Sequence, residues 1–490
     1  MSTDLARRAG MALMWRGLAT GGEKVIFLVR LIILARLLAP EDFGLVAIGM
    51  VVVAIATTLT DFGVVAALIQ QPAANRRHLD TAWTIGLLRG VLIVVGLMAA
   101  APWIADAFSE PRATDIIRAL GLTALLHAAA SIEIARLNRE LRFGGLAGIR
   151  IAAAVVNTAV AIVLAPTLGA WALVWGAVAG ALAHMLLSYV IAPYRPRLAL
   201  ADEATASIVR FGRWIFLIGI LAVAADASVR WIVATRLGVV ELGLFFMAVR
   251  LAFLPAQLVS ELVGEVAFPV YAELLANRDK AAATFRGLLV SVAALLVPAS
   301  LVFAWLVPDL VEHILGERWQ GAAPVMQLLI LSSIVGILGD NVAPVLKGSG
   351  KPAGIAIMDG VQLVVIVALG WPLTGAYGLV GAGMAWLGGI AVSQVLAAWY
   401  ARERFEQPFR GVGPPLLAIL AVGVLATVVA ALTLAAIDTA AGVLVAVVSS
   451  AAAVIFSTYV VDRRLELGIL QTVSGPFPLL RRFAGRGRAV

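Results

Sequence analysis

Apolar residues along this chain gather into blocks of about twenty, the length that lets a helix cross roughly 30 Å of hydrocarbon. Short segments carrying Arg, Pro, Gly and Asn separate the blocks. The pattern predicts membrane-spanning helices at about 12–38, 44–70, 81–107, 113–136, 146–168, 170–193, 209–237, 241–271, 285–307, 321–346, 354–374, 377–400, 414–436 and 440–461. The expected class is therefore an all-α integral membrane protein of about fourteen transmembrane helices. The connections are too short to hold an extramembrane domain.

Composition agrees. Of 490 residues, 62% are hydrophobic and 13% charged, whereas a soluble domain carries about 25% charge. The net charge of +8 is explained by cytoplasmic loops that obey the positive-inside rule, so nucleic acid is not an expected partner. Segments holding Arg76, Arg77, Arg136, Arg139, Arg142, Arg195, Arg197, Arg402, Arg404 and Arg410 alternate with segments poor in cations, and the tail adds Arg481, Arg482, Arg486 and Arg488. This asymmetry predicts both termini in the cytoplasm. The first block is too long and too charged for a signal-peptide core, so it is read as a retained first helix. There are no cysteines, and the four histidines (His78, His127, His184, His313) are scattered along the chain. Thiol catalysis, a metal centre and a bound cofactor are not expected. A membrane enzyme that joins glycans would need a large outside loop bearing catalytic groups, and the chain has none, so an enzyme is not expected either.

One phrase recurs 200 positions apart. Val29-Arg30-Leu31-Ile32-Ile33-Leu34-Ala35-Arg36-Leu37 returns as Val229-Arg230-Trp231-Ile232-Val233-Ala234-Thr235-Arg236-Leu237. Asp42-Phe43-Gly44-Leu45 follows the first copy and Glu241-Leu242-Gly243-Leu244 the second. The repeat predicts two six-helix lobes, an N-lobe over 1–200 (helices 1–6) and a C-lobe over 201–405 (helices 7–12). An even helix count gives both the same topology, so a pseudo-two-fold axis would run along the membrane normal. Residues 406–490 would add helices 13 and 14 and a basic cytoplasmic tail.

Arginine within a span costs roughly 2.5–3.5 kcal/mol on insertion scales and marks function or pairing. At 1.5 Å per residue, Arg30, Arg230 and Arg250 lie about 8, 10 and 9 Å from the centres of their helices toward the outside. Arg16, Glu23 and Arg30 are seven apart and form one stripe along helix 1. Arg250, Gln257 and Glu261 share a face of helix 8, and Asp226 is spaced to pair with Arg230 on helix 7. These positions predict a polar cavity lined by Arg16, Glu23, Arg30, Arg230, Arg250 and Gln257. A layer of guanidinium groups suits an anion such as phosphate or pyrophosphate. Asp61, Asp226 and Glu261 are the expected carriers of a coupling proton or sodium ion. Arg36 and Arg236 lie near the outer surface, where snorkelling to the headgroups accounts for them.

The run Ala35-Arg36-Leu37-Leu38-Ala39-Pro40-Glu41-Asp42-Phe43-Gly44, then Asp61-Phe62-Gly63, Ala67-Leu68-Ile69-Gln70 and Leu137-Asn138-Arg139-Glu140-Leu141-Arg142-Phe143, resembles the bacterial polysaccharide flippases. These are Wzx-type exporters of the polysaccharide transporter family, within the multidrug/oligosaccharidyl-lipid/polysaccharide (MOP) superfamily. The likeness covers about positions 12 to 461. It implies alternating access by two lobes in the bacterial inner membrane and transfer of an undecaprenyl-diphosphate-linked oligosaccharide between leaflets. The glycan would be an exopolysaccharide, capsule or O-antigen repeat unit. Membrane lipids and the polymerase and glycosyltransferases of the same pathway are the implied partners. By analogy with the related lipid II flippase, helices 13 and 14 would form a groove for the lipid tail. A lipid II flippase or a drug/cation antiporter of the same superfamily is the alternative. A major-facilitator transporter is disfavoured, because the loop Gln71-Pro72-Ala73-Ala74-Asn75-Arg76-Arg77-His78 lacks that group's basic motif.

Overall fold

In hydrocarbon every backbone N–H and C=O must find a partner within the chain, and a helix does this locally. A computed structural model of the chain describes residues 21–61, 76–139, 143–199, 202–257, 278–437 and 440–465, and among these the regular structure is helical throughout. In chain order, α1 covers 21–37, α2 Pro40–Leu59, α3 Arg76–Ala107, α4 Ala113–Ala128 and a short α5 Ile134–Arg139. Then come α6 Phe143–Leu168, α7 Ala170–Ile191, α8 Asp202–Leu237 and α9 Val239–Ala252. The remainder are α10 Arg278–Leu310, α11 Ala323–Gly348, α12 Ala353–Arg404, α13 Gly413–Ala436 and α14 Ala440–Leu465. Ten described segments are long and apolar enough to cross a membrane. In the segment Gly144–Leu168 only 11% of the most apolar window is buried within the protein. Trp103, Val163 and Leu417 are also largely exposed. Apolar surface of this extent is covered by lipid tails.

Several boundaries differ from the hydropathy reading: α3, α8 and α10 start at Arg76, Asp202 and Arg278 rather than at 81, 209 and 285, and α4 ends at Ala128 rather than at 136. Helix α2 starts at Pro40 rather than at 44, with proline in its first turn beside Glu41 and Asp42. Proline's fixed φ suits the first helical position, and the acids complement the positive end of the helix dipole. It ends at Leu59, before Asp61, and the remainder of the expected span, 62–70, lies outside the described residues. Helix α12 would be about 78 Å long if straight, more than twice the hydrocarbon thickness. It is bent at Gly378 (φ 59°, ψ −139°) into the two spans expected there. Gly169 (φ 53°, ψ −127°) breaks α6 from α7 with nearly the same backbone conformation. Both glycines follow an in-helix proline, Pro166 and Pro372. A left-handed residue of this kind favours glycine.

The chain forms two compact units, Met1–Leu244 and Phe245–Val490. In the first, α7 packs closely on α6 and also on α4 and α2. A Cβ on Gly176 would sit 2.8 Å from the Ala161 Cβ, and one on Gly180 would sit 2.8 Å from the Asn157 Cβ. Small residues four apart let the two backbones approach without a hydrophobic driving force. In the second unit α10 packs on α11, α13 and α14. Val302 and Leu306 of α10 bury against Ala426 and Ala430 of α13 and Ala446 of α14. The last two helices are therefore integral to this unit.

An extended strap over 192–199 folds back on the first unit. The Ser131 Oγ donates to the Ala192 carbonyl at 2.7 Å, and the Ala199 N–H donates to the Thr84 Oγ1 at 3.1 Å. Between these anchors the Tyr194 hydroxyl donates to the buried Asp80 carboxylate. Burial, then the bond to Asp80, pushes the Tyr194 phenol above its usual pKa. The neutral hydroxyl is thus favoured in the folded state, and its contribution is complete below the ordinary phenol pKa of about 10. It is lost as pH rises through the higher folded value. The gap in thermal midpoint between wild type and Tyr194→Phe is expected to be constant up to about pH 10 and to shrink above it. A gap that widens above pH 10 would contradict this assignment.

Candidate functional site

Both copies of the duplicated phrase form the last turns of a helix, α1 and α8, and each is followed by a break of one or two residues and a new helix. Leu38 and Ala39 make the first break. Gly238 (φ 92°) makes the second. The two new helices, α2 and the first turn of α9, then meet backbone to backbone. A Cβ on Gly44 would lie 2.0 Å from the Val239 carbonyl oxygen, and a Cβ on Gly243 would lie 1.8 Å from that of Pro40. The contact is reciprocal, because each glycine sits one helical turn past its own helix start and against the start of the other.

Hydrogen bonds and ion pairs hold this junction in place. Asp42 accepts from the Ala39 N–H at 2.9 Å and from the Ala170 N–H at 2.9 Å, which ties the starts of α2 and α7 together. Arg112, between α3 and α4, pairs with Glu41 and with Glu110, each at 2.7 Å. The Glu110 bond first, then Glu41, raises the pKa of this guanidinium above its usual value. The Trp231 Nε1 donates to the Ala107 carbonyl at 2.8 Å, fastening α8 to the end of α3. Next to Trp231 lies an apolar cavity of about 350 Å³, bounded by Ile55, Thr58 and Leu59 of α2 and by Ile220, Ala224 and Trp231 of α8.

The membrane-depth charges of the first unit are distributed by pairing. Asp226 and Arg230 bond at 2.9 Å as their spacing predicts, and the Arg230 side chain is only 8% exposed. Arg30, at the equivalent place in the first copy, is half-buried. The two copies thus share a sequence and a helix end but differ in burial. Arg36 and Arg236 are exposed in the last turns of their helices, as snorkelling residues should be. Glu23 of α1 meets Arg150 of α6 at 2.5 Å. Asp61 lies 3.5 Å from Arg89 of α3. The Arg89 guanidinium also donates to the Thr60 Oγ1 at 3.0 Å and the Thr57 carbonyl at 2.9 Å, closing the end of α2.

In the second unit the Arg250 guanidinium lies over the Phe246 ring at 5.1 Å, a cation–π contact one turn back on α9. Gln257 is exposed. Arg16 and Glu261 lie outside the described residues. Two features escape the sequence reading. The partner of Glu23 is 127 residues away, beyond any local spacing rule. His127 and His184, separated in sequence, stack edge to face with ring centroids 5.2 Å apart. Among the described residues no group of three or more His, Asp or Glu side chains is placed to hold a metal ion.

A family model described as polysaccharide biosynthesis protein matches residues 33–324, a stretch that reaches across both helix junctions. The lipopolysaccharide biosynthesis protein WzxC of Escherichia coli (strain K12) is 24% identical over 343 residues, covering 69% of each chain. The succinoglycan biosynthesis transport protein ExoT of Rhizobium meliloti (strain 1021) is 25% identical over 341 residues, again 69% of each. Among solved structures, the lipid II flippase MurJ in an inward closed conformation has a TM-score of 0.75 at 12% identity, over 92% of this chain and 99% of that one. An inward-facing multidrug resistance MATE family transporter of the MOP superfamily has a TM-score of 0.62 at 17% identity, over 79% of this chain and 96% of that one. These two structures share the fold of this chain.

The glycine junction carries a direct prediction. Gly243→Ala places a methyl group inside the Pro40 carbonyl contact, and overpacking of this kind costs about 1–3 kcal/mol. Gly96→Ala, within α3 and with open space around the new methyl, is the control. Thermal unfolding in detergent is expected to show a clear drop for Gly243→Ala and none for Gly96→Ala. Equal midpoints for the two would show that the junction bears no load.

Proposed function

The chain belongs to the family of polysaccharide biosynthesis proteins, and we propose that it is a flippase of the bacterial inner membrane. Its cargo in this reading is an undecaprenyl-diphosphate-linked oligosaccharide, the repeat unit of an exopolysaccharide, capsule or O-antigen, carried from the inner to the outer leaflet by alternating access. The observation that carries the reading is the family match across both duplicated junctions. The names of the relatives support the substrate class, since each of the two belongs to a polysaccharide pathway and one is a transport protein. They favour a polysaccharide precursor over lipid II, because the likeness to the lipid II flippase is one of fold. The full architecture we propose has about fourteen spans in two six-helix lobes with both termini cytoplasmic, plus two C-terminal helices.

The diphosphate is the fixed part of such a cargo, while the glycan varies. Arg30 and Arg250, both half-buried at membrane depth, are the proposed diphosphate contacts. Arg16, Glu23 and Gln257 line the same path in this reading. Arg230 is held by Asp226 and shapes the path from behind. The planar guanidinium fork matches paired phosphate oxygens. Transport is driven by a proton or sodium gradient, with Asp61, Asp226 and Glu261 as candidate carriers. The ion pair of Asp61 with Arg89 and that of Asp226 with Arg230 mean that charge neutralisation at either acid would release a cation. A glycan polymerase and glycosyltransferases would act on either side of this step.

Charge-assisted hydrogen bonds contribute about 1.5–3 kcal/mol each, so removing one is expected to cost roughly tenfold to a hundredfold in transport. Arg30→Ala and Arg250→Ala should each reduce surface glycan to that extent while the protein remains in the membrane at wild-type amounts. The measurement is quantitative surface-glycan labelling beside membrane immunoblots. Normal export by both variants would remove the arginine pair from the mechanism.

A further inference from the structure

The inner pairings of the first unit converge on two imidazoles. Helices α6 and α7 are joined by the Gly169 hairpin, so Phe143 and Ile191 lie at the same end, and a Cβ on Gly145 would meet the Ile191 side chain at 2.9 Å. Arg150 is seven residues in from that end on α6, and His184 seven residues in on α7, each about 10 Å deep. His127, in the last turn of α4, meets His184 there with ring centroids 5.2 Å apart and planes inclined at 61°. The His184 Nδ1 is buried without a hydrogen-bond partner. The Arg150 guanidinium lies within Coulombic range of His184 and bonds the Glu23 carboxylate of α1 at 2.5 Å. Four helices, α1, α4, α6 and α7, thus each bring one titratable side chain to one level.

Among the described residues, charged groups on the neighbouring elements are engaged, Lys24 of α1 included. From α3, which packs on α4, Arg89 is held by Asp61 and the end of α2. On α4 itself Asp115 and Arg118 pair at 3.0 Å toward the far end, and beyond α4 Glu133 pairs with Arg136 at 2.6 Å. On α7 the Tyr189 hydroxyl donates to the Ala129 carbonyl at 2.8 Å. Helix α2 packs on α7 with Glu41 and Asp42 at the opposite end.

We propose that His127 and His184 form a shared proton-binding site that couples the transport cycle to a proton gradient, with Arg150 and Glu23 passing its charge state to α1. Imidazole is the side chain whose charge changes near neutral pH. Two imidazoles at this distance repel when both are charged, so the pair takes up one proton before the second. The proton adds to a ring nitrogen and leaves from the same pair, and only an N–H bond forms or breaks. A charge on His184 opposes that of Arg150, which answers by pressing on Glu23 and therefore on α1. That helix also carries Arg30, so the proton site and the proposed diphosphate contact lie on one rigid element. The inference rests on the flippase reading for its second half only.

The chain has four histidines, so histidine-selective ¹⁵N labelling of the whole protein in lipid nanodiscs resolves each one. The pair is expected to titrate in two coupled steps. His127→Gln should move the His184 midpoint by about one pH unit, and His184→Gln should move that of His127 equally, because strongly interacting sites titrate as a pair. Midpoints that ignore removal of the partner overturn the shared site, and this is visible in wild type as two independent single-proton curves even where a variant does not insert. In vesicles, a fluorescent undecaprenyl-diphosphate disaccharide is the probe, and the readout is the ratio of flipping rates with and without a pH gradient. That ratio is expected to exceed one several-fold in wild type and to fall at least twofold in both variants. A ratio unchanged by both substitutions overturns the coupling. If wild type moves no probe under any gradient, the flippase reading itself falls, and the joint titration alone then decides whether the pair binds a shared proton.

Discussion

The arrangement of the first unit depends on the backbone contact between Gly44 and Gly243. In lipid the hydrophobic effect does not draw helices together, and association comes from close packing and polar contacts. A carbonyl oxygen that would lie within 2.0 Å of an added Cβ on each side leaves no room for any other residue type. The starts of α2 and α9 are thereby fixed against each other, and α1 and α8 are fixed in turn, because only one or two residues separate each from the helix that follows. Asp42, Arg112 and Trp231 then secure the starts and ends of the neighbouring helices α7, α4 and α3. The most conspicuous repetition in the chain thus encodes a joint before it encodes any chemistry.

Charge at membrane depth is handled in the first unit by local neutralisation. Asp226 lies one helical turn from Arg230, Glu23 reaches across from α1 to α6, and Asp61 with the end of α2 receives Arg89. An isolated charge in this medium is costly, whereas a paired and hydrogen-bonded one is tolerated. These pairings have a mechanical consequence as well. Each joins or stiffens helices, and a change of charge at either partner alters how those helices attract.

Hydropathy made most of the fold legible. The described helices follow the apolar blocks, and the α12 bend falls where two spans were expected, at a glycine that alone tolerates φ 59° at low cost. The misjudged boundaries of α2 have a simple origin. Hydropathy does not register a proline that starts a helix, and it carries on past Asp61 into apolar residues that lie outside the described ones. The spacing rule found Asp226 with Arg230, because four residues on one helix fix proximity. It could not find Glu23 with Arg150, or His127 with His184, because those contacts depend on which helices pack together. Scattered in the chain, the histidines carry no local signal, and only the α4–α7 packing makes them a pair. The equal arginines of the two phrases also receive unequal burial, since Arg230 turns toward Asp226 inside its unit while Arg30 remains half-buried.

Helix α1 joins these observations into one mechanical argument. Glu23 lies near one end of its described length and Arg30 two turns further on, and the chain passes through Leu38 and Ala39 into Pro40, where the carbonyl meets Gly243. From Glu23 to Pro40 is about 25 Å at 1.5 Å per residue. A rigid helix transmits a shift at one end to the other with little loss, whereas a loop would absorb it. The close-packed junction leaves little room to compress, so in the proposed coupling a push delivered through Arg150 would appear as a tilt of α1 about the junction instead of a slide along its axis. A tilt of that kind moves Arg30 sideways in the membrane plane at nearly constant depth, the displacement that the proposed flippase reading asks of Arg30 as a diphosphate contact.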